Sequence, residues 1–132
     1  MITQTMQPLK EALSRFNDKE PYYKHTIAGK LILLYTEGVK FLAEQTCCYW
    51  LLDLILSWQL DEMVMRKPLQ QWVFYKTKTH WVVKCKDDNG NVLATQQLKS
   101  MDFPLSRVEL NFTKGVLRLP SENYNSPFKL QL

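Results

Sequence analysis

Few side chains here have the chemistry to titrate, coordinate or attack: His25 and His80, Cys47, Cys48 and Cys85, and a scatter of carboxylates. Zinc sites announce themselves by paired ligands such as C-x₂-C or H-x₃-H, and neither spacing occurs. Cys47 and Cys48 are neighbours on an apolar arc, where cysteine behaves as a small hydrophobe. With no base or ligand close to them in sequence, core packing accounts for them better than nucleophilic catalysis does. Asp53 is more informative, because it interrupts the apolar run Thr46 to Trp58 (TCCYWLLDLILSW). A carboxylate among apolar side chains must be paired, exposed or shifted in pKa. Asp53 recurs with Ser57 and Asp61 at i, i+4 and i+8, so the three mark a narrow polar seam on a helix, a better account than a general base. His25, beside Tyr22 and Tyr23, is placed to complete a polar network with Asp53 or Glu37, and His80 opens a strand at the surface. No catalytic centre, metal site or cofactor is expected.

Asp87 to Asn91 (DDNGN) has some of the composition of a calcium loop but lacks the D-x-[DN]-x-[DN]-G spacing and the distant bidentate glutamate; a hairpin turn explains it. Four glycines, none in a phosphate-loop pattern, argue against a nucleotide enzyme. Cysteines are odd in number, three, which argues against a secreted disulfide framework and for a reducing, cytoplasmic setting. The N-terminus has no basic segment followed by an apolar one, so no signal peptide is read there. The longest apolar run carries Asp53 and is too short to span a bilayer.

The elements that must position these residues follow from periodicity. Residues 7–16 read as a short amphipathic helix, and 31–35 as an extended segment before Thr36, a helix N-cap with Glu37 behind it. The next helix runs from Glu37 to about Gln45, burying Val39, Phe41 and Leu42, and a second covers roughly 47–62 with Thr46 as its cap. On the wheel Cys47, Cys48, Leu51, Leu52, Ile55, Leu56 and Trp58 spread over about half the circumference, wider than a surface helix needs, so this helix is either wrapped by its own domain or shared with a partner. After Pro68 the period changes to two. Strands are predicted at 72–77, 80–86, 92–98, 107–112 and 115–119, with an Asn89-Gly90 turn that opposes Cys85 to Ala94 and Trp81 to Leu98. That register puts Trp81, Val83, Cys85, Ala94 and Leu98 on one face, and Lys84, Lys86 and Thr95 on the other. At 132 residues and 45% hydrophobic, the chain suits a single α+β domain: helices, including a helical hairpin, in about 1–67, packed on one face of an antiparallel sheet of about four to five strands in about 69–120, then an extended tail, 121–132.

Leu34 to Glu44 (LYTEGVKFLAE) and Tyr49 to Asp53 (YWLLD), with Tyr23 and His25, CKDDNGN at 85–91, Asp102-Phe103-Pro104-Leu105 and VLRLPSE at 116–122, resemble a family of small bacterial proteins of unknown function common in genomes rich in plasmids and phages. The likeness runs from about Leu13 to Glu122 and departs at Cys47-Cys48, where small residues are expected, and in a shortened first hairpin. It implies a shared fold and transfers no reaction.

Function is therefore expected in binding. Net charge is +4, with eight Lys/Arg against eight Asp/Glu in 1–68 and nine against five in 69–132, so any basic surface belongs to the second half. The leading expectation is a non-enzymatic binder of a protein partner, such as a nuclease or nucleoprotein complex, serving a mobile element against a host defence in the manner of anti-CRISPR proteins; a homodimer and the absence of membrane contact are compatible with it. The alternative is a single-stranded nucleic-acid binder, if Trp72, Phe74, Lys76 and Lys78 share a sheet face with Val82, Lys84 and Lys86. A third, a small hydrolase or ligand-binding enzyme around His25 and Asp53, has no motif behind it.

Overall fold

The computed structural model describes Leu9, residues 22–99 and residues 103–123. In chain order its elements are β1 (Tyr23–Ile27), β2 (Leu31–Tyr35), α1 (Glu37–Thr46), α2 (Tyr49–Trp58), α3 (Glu62–Met65), β3 (Leu69–Lys76), β4 (Trp81–Lys86), β5 (Val92–Leu98), β6 (Arg107–Thr113), β7 (Val116–Arg118) and a 3-10 turn, Pro120–Asn123. The helix expected over 7–16 lies, Leu9 apart, outside the described residues, as does the tail beyond 123.

The sheet is larger than the sequence suggested and is mixed. Instead of four or five antiparallel strands it has seven, in the order β1-β2-β7-β6-β3-β4-β5. The two strands not counted form a hairpin, the second of them the extended segment expected at 31–35, and from residue 22 on this hairpin precedes α1, α2 and α3. Tyr23 to Ile27 pairs antiparallel with Leu31 to Tyr35, and β2 then joins β7 in parallel. That parallel pairing brings residue 34 to residue 116, and nothing in the local pattern of either segment announces it.

Thr36 caps α1 as its position implies, its hydroxyl accepting the Val39 N–H at 3.3 Å. Thr46 does not cap the next helix. It closes α1, donating to the Leu42 carbonyl at 2.7 Å, and Cys47 follows in the left-handed region at φ 56°. The second helix starts only at Tyr49 and stops at Trp58; Asp61 then caps a separate short turn, α3, rather than continuing the polar seam.

At the β4–β5 hairpin the expected pairs Cys85–Ala94 and Trp81–Leu98 are present. The turn, however, centres on Asp88-Asn89, with Gly90 accepting the left-handed conformation at φ 83° and its N–H bonded to the Asp87 carbonyl at 3.1 Å. The extra loop residue shifts the register by one, and a bulge at Leu93 shifts it back. The second hairpin turns at Lys114-Gly115, one residue later than expected, both at positive φ.

Curvature is the dominant feature. Adjacent strands lie about 4.8 Å apart, so β1 and β5, at opposite ends of the order, would stand about 29 Å apart in a flat sheet. Yet Ile27 of β1 and Gln96 of β5 line one cleft against α2. The sheet is rolled round that helix, leaving Leu51, Leu52, Ile55 and Leu56 at most 2% exposed. Burial of each stabilises the fold by about 1.5–3 kcal/mol. Phe74 stacks on Trp81 at 4.6 Å, with Phe103 edge-on to both, to fill the concave side.

Two buried polar groups hold the ends. Gln70, 1% exposed, accepts from Gln59 and Trp72 and donates to Gln59 and the Val64 carbonyl, so every polar atom of its amide is used. Glu122, fully buried, sits at the start of α1: its carboxylate accepts from the Thr36 hydroxyl (2.5 Å), the Leu119 N–H (2.9 Å) and the Gly38 N–H (3.1 Å). Gly38 permits that approach, since a Cβ there would stand 2.7 Å from Glu122 Oε2. Pro120–Asn123, where the extended tail was expected to begin, form a 3-10 turn. Replacing Glu122 by Ala strands those donors, and chemical denaturation should show a loss of about 2–4 kcal/mol; a loss below about 0.5 kcal/mol would mean the clasp contributes nothing.

Candidate functional site

Strand alternation gives the sheet a concave, filled face and a convex one, on which Tyr75, Lys84 and Lys86 are half-buried while Val73 and Val82 are buried beneath their neighbours. Trp72 opposes Cys85 and Phe74 opposes Val83, so both aromatics point into the concave core, where each is 2% exposed. They do not share a face with Lys84 and Lys86, as the interleaved surface required; β3 runs with the opposite phase. Lys76 belongs to the Trp72 and Phe74 phase at the exposed end of β3, and Lys78 is exposed in the turn that follows.

The convex face has its own aromatic. Tyr75 opposes Val82 and Arg107, and its ring lies under two cations, Lys84 Nζ at 5.8 Å and the Arg107 guanidinium at 5.9 Å. Arg107 is also bonded to Glu109 at 2.9 Å. Gln71, between Lys86 and Asn111, and Val73, between Lys84 and Glu109, continue the same face. Asn111 pairs with Arg118, whose guanidinium stands 5.8 Å from the Tyr22 ring. Tyr75 and Arg107 were missed from sequence because the phase of β3 relative to its neighbours decides which aromatic is outside.

The second assembly lies along the open side of α2. Asp53 Oδ1 is 2.6 Å from His25 Nε2, joining α2 to β1, as one of the two partners considered for His25 allows. The imidazole stacks on Tyr49 at 6.1 Å and meets Tyr35 edge-on. Burial, with Tyr49 beside it, pushes the Tyr35 phenol up to about 12, so it stays protonated at neutral pH. Ser57 is exposed and donates to the Leu54 carbonyl at 2.8 Å, while Asp61 caps α3 through the N–H groups of Met63 and Val64. Asp53, Ser57, Trp50, Leu54 and Gln96 border an open cleft of about 570 Å³.

The sequence profile of DUF6876, a family of unknown function, matches residues 7–123. The chain belongs to that family. The match spans slightly more than the resemblance read from sequence and takes in both assemblies. No curated protein and no solved structure matches the chain significantly. The family thus brings a shared domain and no reaction, and the chemistry must be read from the side chains.

Among the described residues no three of His, Cys, Asp and Glu come together in a way that would hold a metal ion, and no helix is long and apolar enough to cross a membrane. At the DDNGN turn Asp87 Oδ1 accepts the N–H groups of Asn89 and Asn91, both at 2.9 Å, and Oδ2 faces the Asn91 amide and Lys67 Nζ. Those oxygens serve the turn.

Burial alone would raise the Asp87 carboxyl, but the bonds from Asn91 and Asn89 and the Lys67 ammonium outweigh it and hold the group below the usual carboxylate range. A folded-state value below the unfolded one, about 3.9, makes its contribution complete above that pH and lost as pH falls through the lower folded value. The urea midpoint of the wild type should therefore exceed that of Asp87→Asn near pH 7, and the gap should close below about pH 4. The cysteines sort by exposure. Burial pushes the Cys48 thiol up to about 11 and the Cys85 thiol up to about 12, whereas Cys47 is exposed. Ellman's reagent at about pH 8 should titrate Cys47 alone in the native protein and all three thiols in denaturant; rapid native labelling of Cys85 would show the core to be open.

Proposed function

We propose that this protein works by binding, and that its convex sheet face grips a linear polyanion, single-stranded RNA or DNA foremost. The observation that carries this reading is Tyr75 held between Lys84 and Arg107. A ring flanked by cations offers a base a stacking surface and the adjoining phosphates their counter-charges. Tyr22 beside Arg118 repeats the combination on the same face, Lys24 and Lys86 add charge, and Gln71 and Asn111 supply neutral donors. A convex face suits a chain that lies across it better than a small substrate that must be enclosed.

A second reading, inhibition of a host defence nuclease in the manner of anti-CRISPR proteins, is favoured by a separate observation. Leu60, Met63 and Met65 are 70%, 60% and 55% exposed within a few residues of one another. Large apolar side chains grouped at a surface mark protein contacts, and methionine adapts to a partner's shape. An inhibitor that mimics nucleic acid needs an acidic surface, so one built on this chain would dock through that apolar edge instead.

Fluorescence anisotropy with labelled oligo-dT and oligo-rU tests the first reading. Affinity should fall with salt at a log–log slope of about −0.7 per phosphate engaged. Tyr75→Ala should cost about 1–3 kcal/mol, and joint reversal of Lys84 and Arg107 to Glu should weaken binding at least about tenfold and flatten the salt slope. Affinity indifferent to those changes, or no binding at low salt, removes this face from consideration.

A further inference from the structure

The cleft over α2 lies between the two ends of the sheet, β1 and β5, neither of which has a further strand beside it among the described residues. The hydrogen-bonding phase of β1 follows from its turn. The Ile27 carbonyl accepts the Lys30 N–H at 3.1 Å, so Ile27 turns its backbone groups toward β2. By alternation Thr26 and Lys24 turn their N–H and C=O groups outward, and Thr26 borders the cleft.

Three polar side chains at the cleft have each committed part of their hydrogen-bonding capacity to the protein and leave the rest facing outward. Asp53 spends Oδ1 on His25, which fixes the carboxylate and leaves Oδ2. Gln96 Oε1 accepts the Trp58 indole N–H at 2.8 Å; an indole only donates, so the amide orientation is determined and its two N–H donors are left over. Ser57 donates to the Leu54 carbonyl and keeps its oxygen as an acceptor. Trp50 and Leu54, half-buried, supply an apolar floor.

Edge backbone groups beside an apolar floor with one anchored carboxylate meet the requirements of an extended polypeptide, whose main chain pairs with the edge while alternate side chains face the floor. We infer that this cleft binds such a strand by addition to β1, and that a lysine or arginine of the strand reaches Asp53 Oδ2 while an apolar residue two positions away packs on Trp50 and Leu54. Asp53 is the ionisable residue among those lining the cleft, and this sets the sign of the preferred side chain. The site is separate from the convex face and does not depend on it.

The test uses the full chain and end-blocked, fluorescein-labelled peptides read by anisotropy: one alternating valine and arginine, one alternating valine and glutamate, and the arginine peptide N-methylated at alternate amides. The valine–arginine peptide should bind, and both controls should bind at least about tenfold more weakly. Asp53→Asn should cost the arginine peptide about tenfold, and Thr26→Pro, which removes an outward N–H, should abolish its binding. Tyr75→Ala should leave it unchanged, which separates this site from the polyanion face. Equal binding of the three peptides, indifference to Asp53→Asn, or no binding up to about 1 mM would overturn the inference. So would a concentration-dependent doubling of mass in light scattering that Thr26→Pro removes, since the edge would then belong to a second copy of the chain. If Thr26→Pro does not fold, the N-methylated peptide still decides.

Discussion

The apolar arc of α2 is the constraint from which the rest follows. Leu51, Leu52, Ile55 and Leu56 span about 140° of the helix circumference, and each left in water would cost about as much as a well-made core contact returns. Covering them requires a sheet wide enough to bend round the helix. Seven strands provide that width, and their two ends are drawn toward α2, where His25 meets Asp53 at one edge and Gln96 meets Trp58 at the other. The cleft between those edges is where the rolled sheet stops short of closing. A full barrel would abolish both edges, and this sheet does not.

The join that completes the roll is also its shortest. Strand β2 meets β7 over only Leu34–Val116 and Tyr35–Leu117, and the last bond of the pair runs from the Thr36 N–H to the Leu117 carbonyl. Immediately beyond it the Glu122 carboxylate ties Thr36 and Gly38 to Leu119. A buried carboxylate with all its donors in place is stabilising, and one deprived of them is costly. Here it locks the N-terminal hairpin and α1 to the end of the sheet, across the weakest seam in the order.

Local chemistry in the sequence carried the elements whose signals are local. Thr36-Glu37 marked the start of α1 and the DDNGN run marked a turn, while the expected pairs Cys85–Ala94 and Trp81–Leu98 are present because the bulge at Leu93 cancels the one-residue difference in turn position. The details that failed did so for identifiable reasons. A left-handed Cys47 splits what periodicity joined, because a backbone conformation there outweighs side-chain pattern. Strand β1 reads as a string of aromatics because its inward residues, Tyr23 and His25, are half-polar. The parallel β2–β7 contact and the Glu122 clasp are long-range partnerships between residues with unremarkable neighbours, and no local window of sequence contains both members; Gln59 and Gln70 are closer, but nothing in their spacing marks two amides as partners. For the surface, one unknown decided everything: the phase of β3 against β4. Trp72 and Phe74 or Val73 and Tyr75 had to face outward, and both pairs fit a strand. Burial favours the larger aromatics inside, where Phe74 can stack on Trp81.

That choice of phase bears on the proposed partner. With Trp72 and Phe74 inside, β3 keeps one ring on the convex face, Tyr75, whose hydroxyl tolerates water and whose flanks carry Lys84 and Arg107. Its exposed aliphatic residues, Ile32 and Val92, stand on β2 and β5 rather than beside Tyr75, so affinity around that ring would have to come from charge and stacking, both of which a flexible polyanion supplies. Of the large apolar residues that remain exposed, Leu60, Met63 and Met65 lie together on the segment around α3, while Ile32 and Val92 stand on the convex side of β2 and β5, opposite Thr26 and Lys86. The apolar cluster around α3 thus stands apart from Tyr75, Lys84 and Arg107, and Asp53 stands apart from both, beside the outward backbone groups of β1. If the chain engages more than one partner at once, this separation is what permits it, because no group is asked to serve two chemistries.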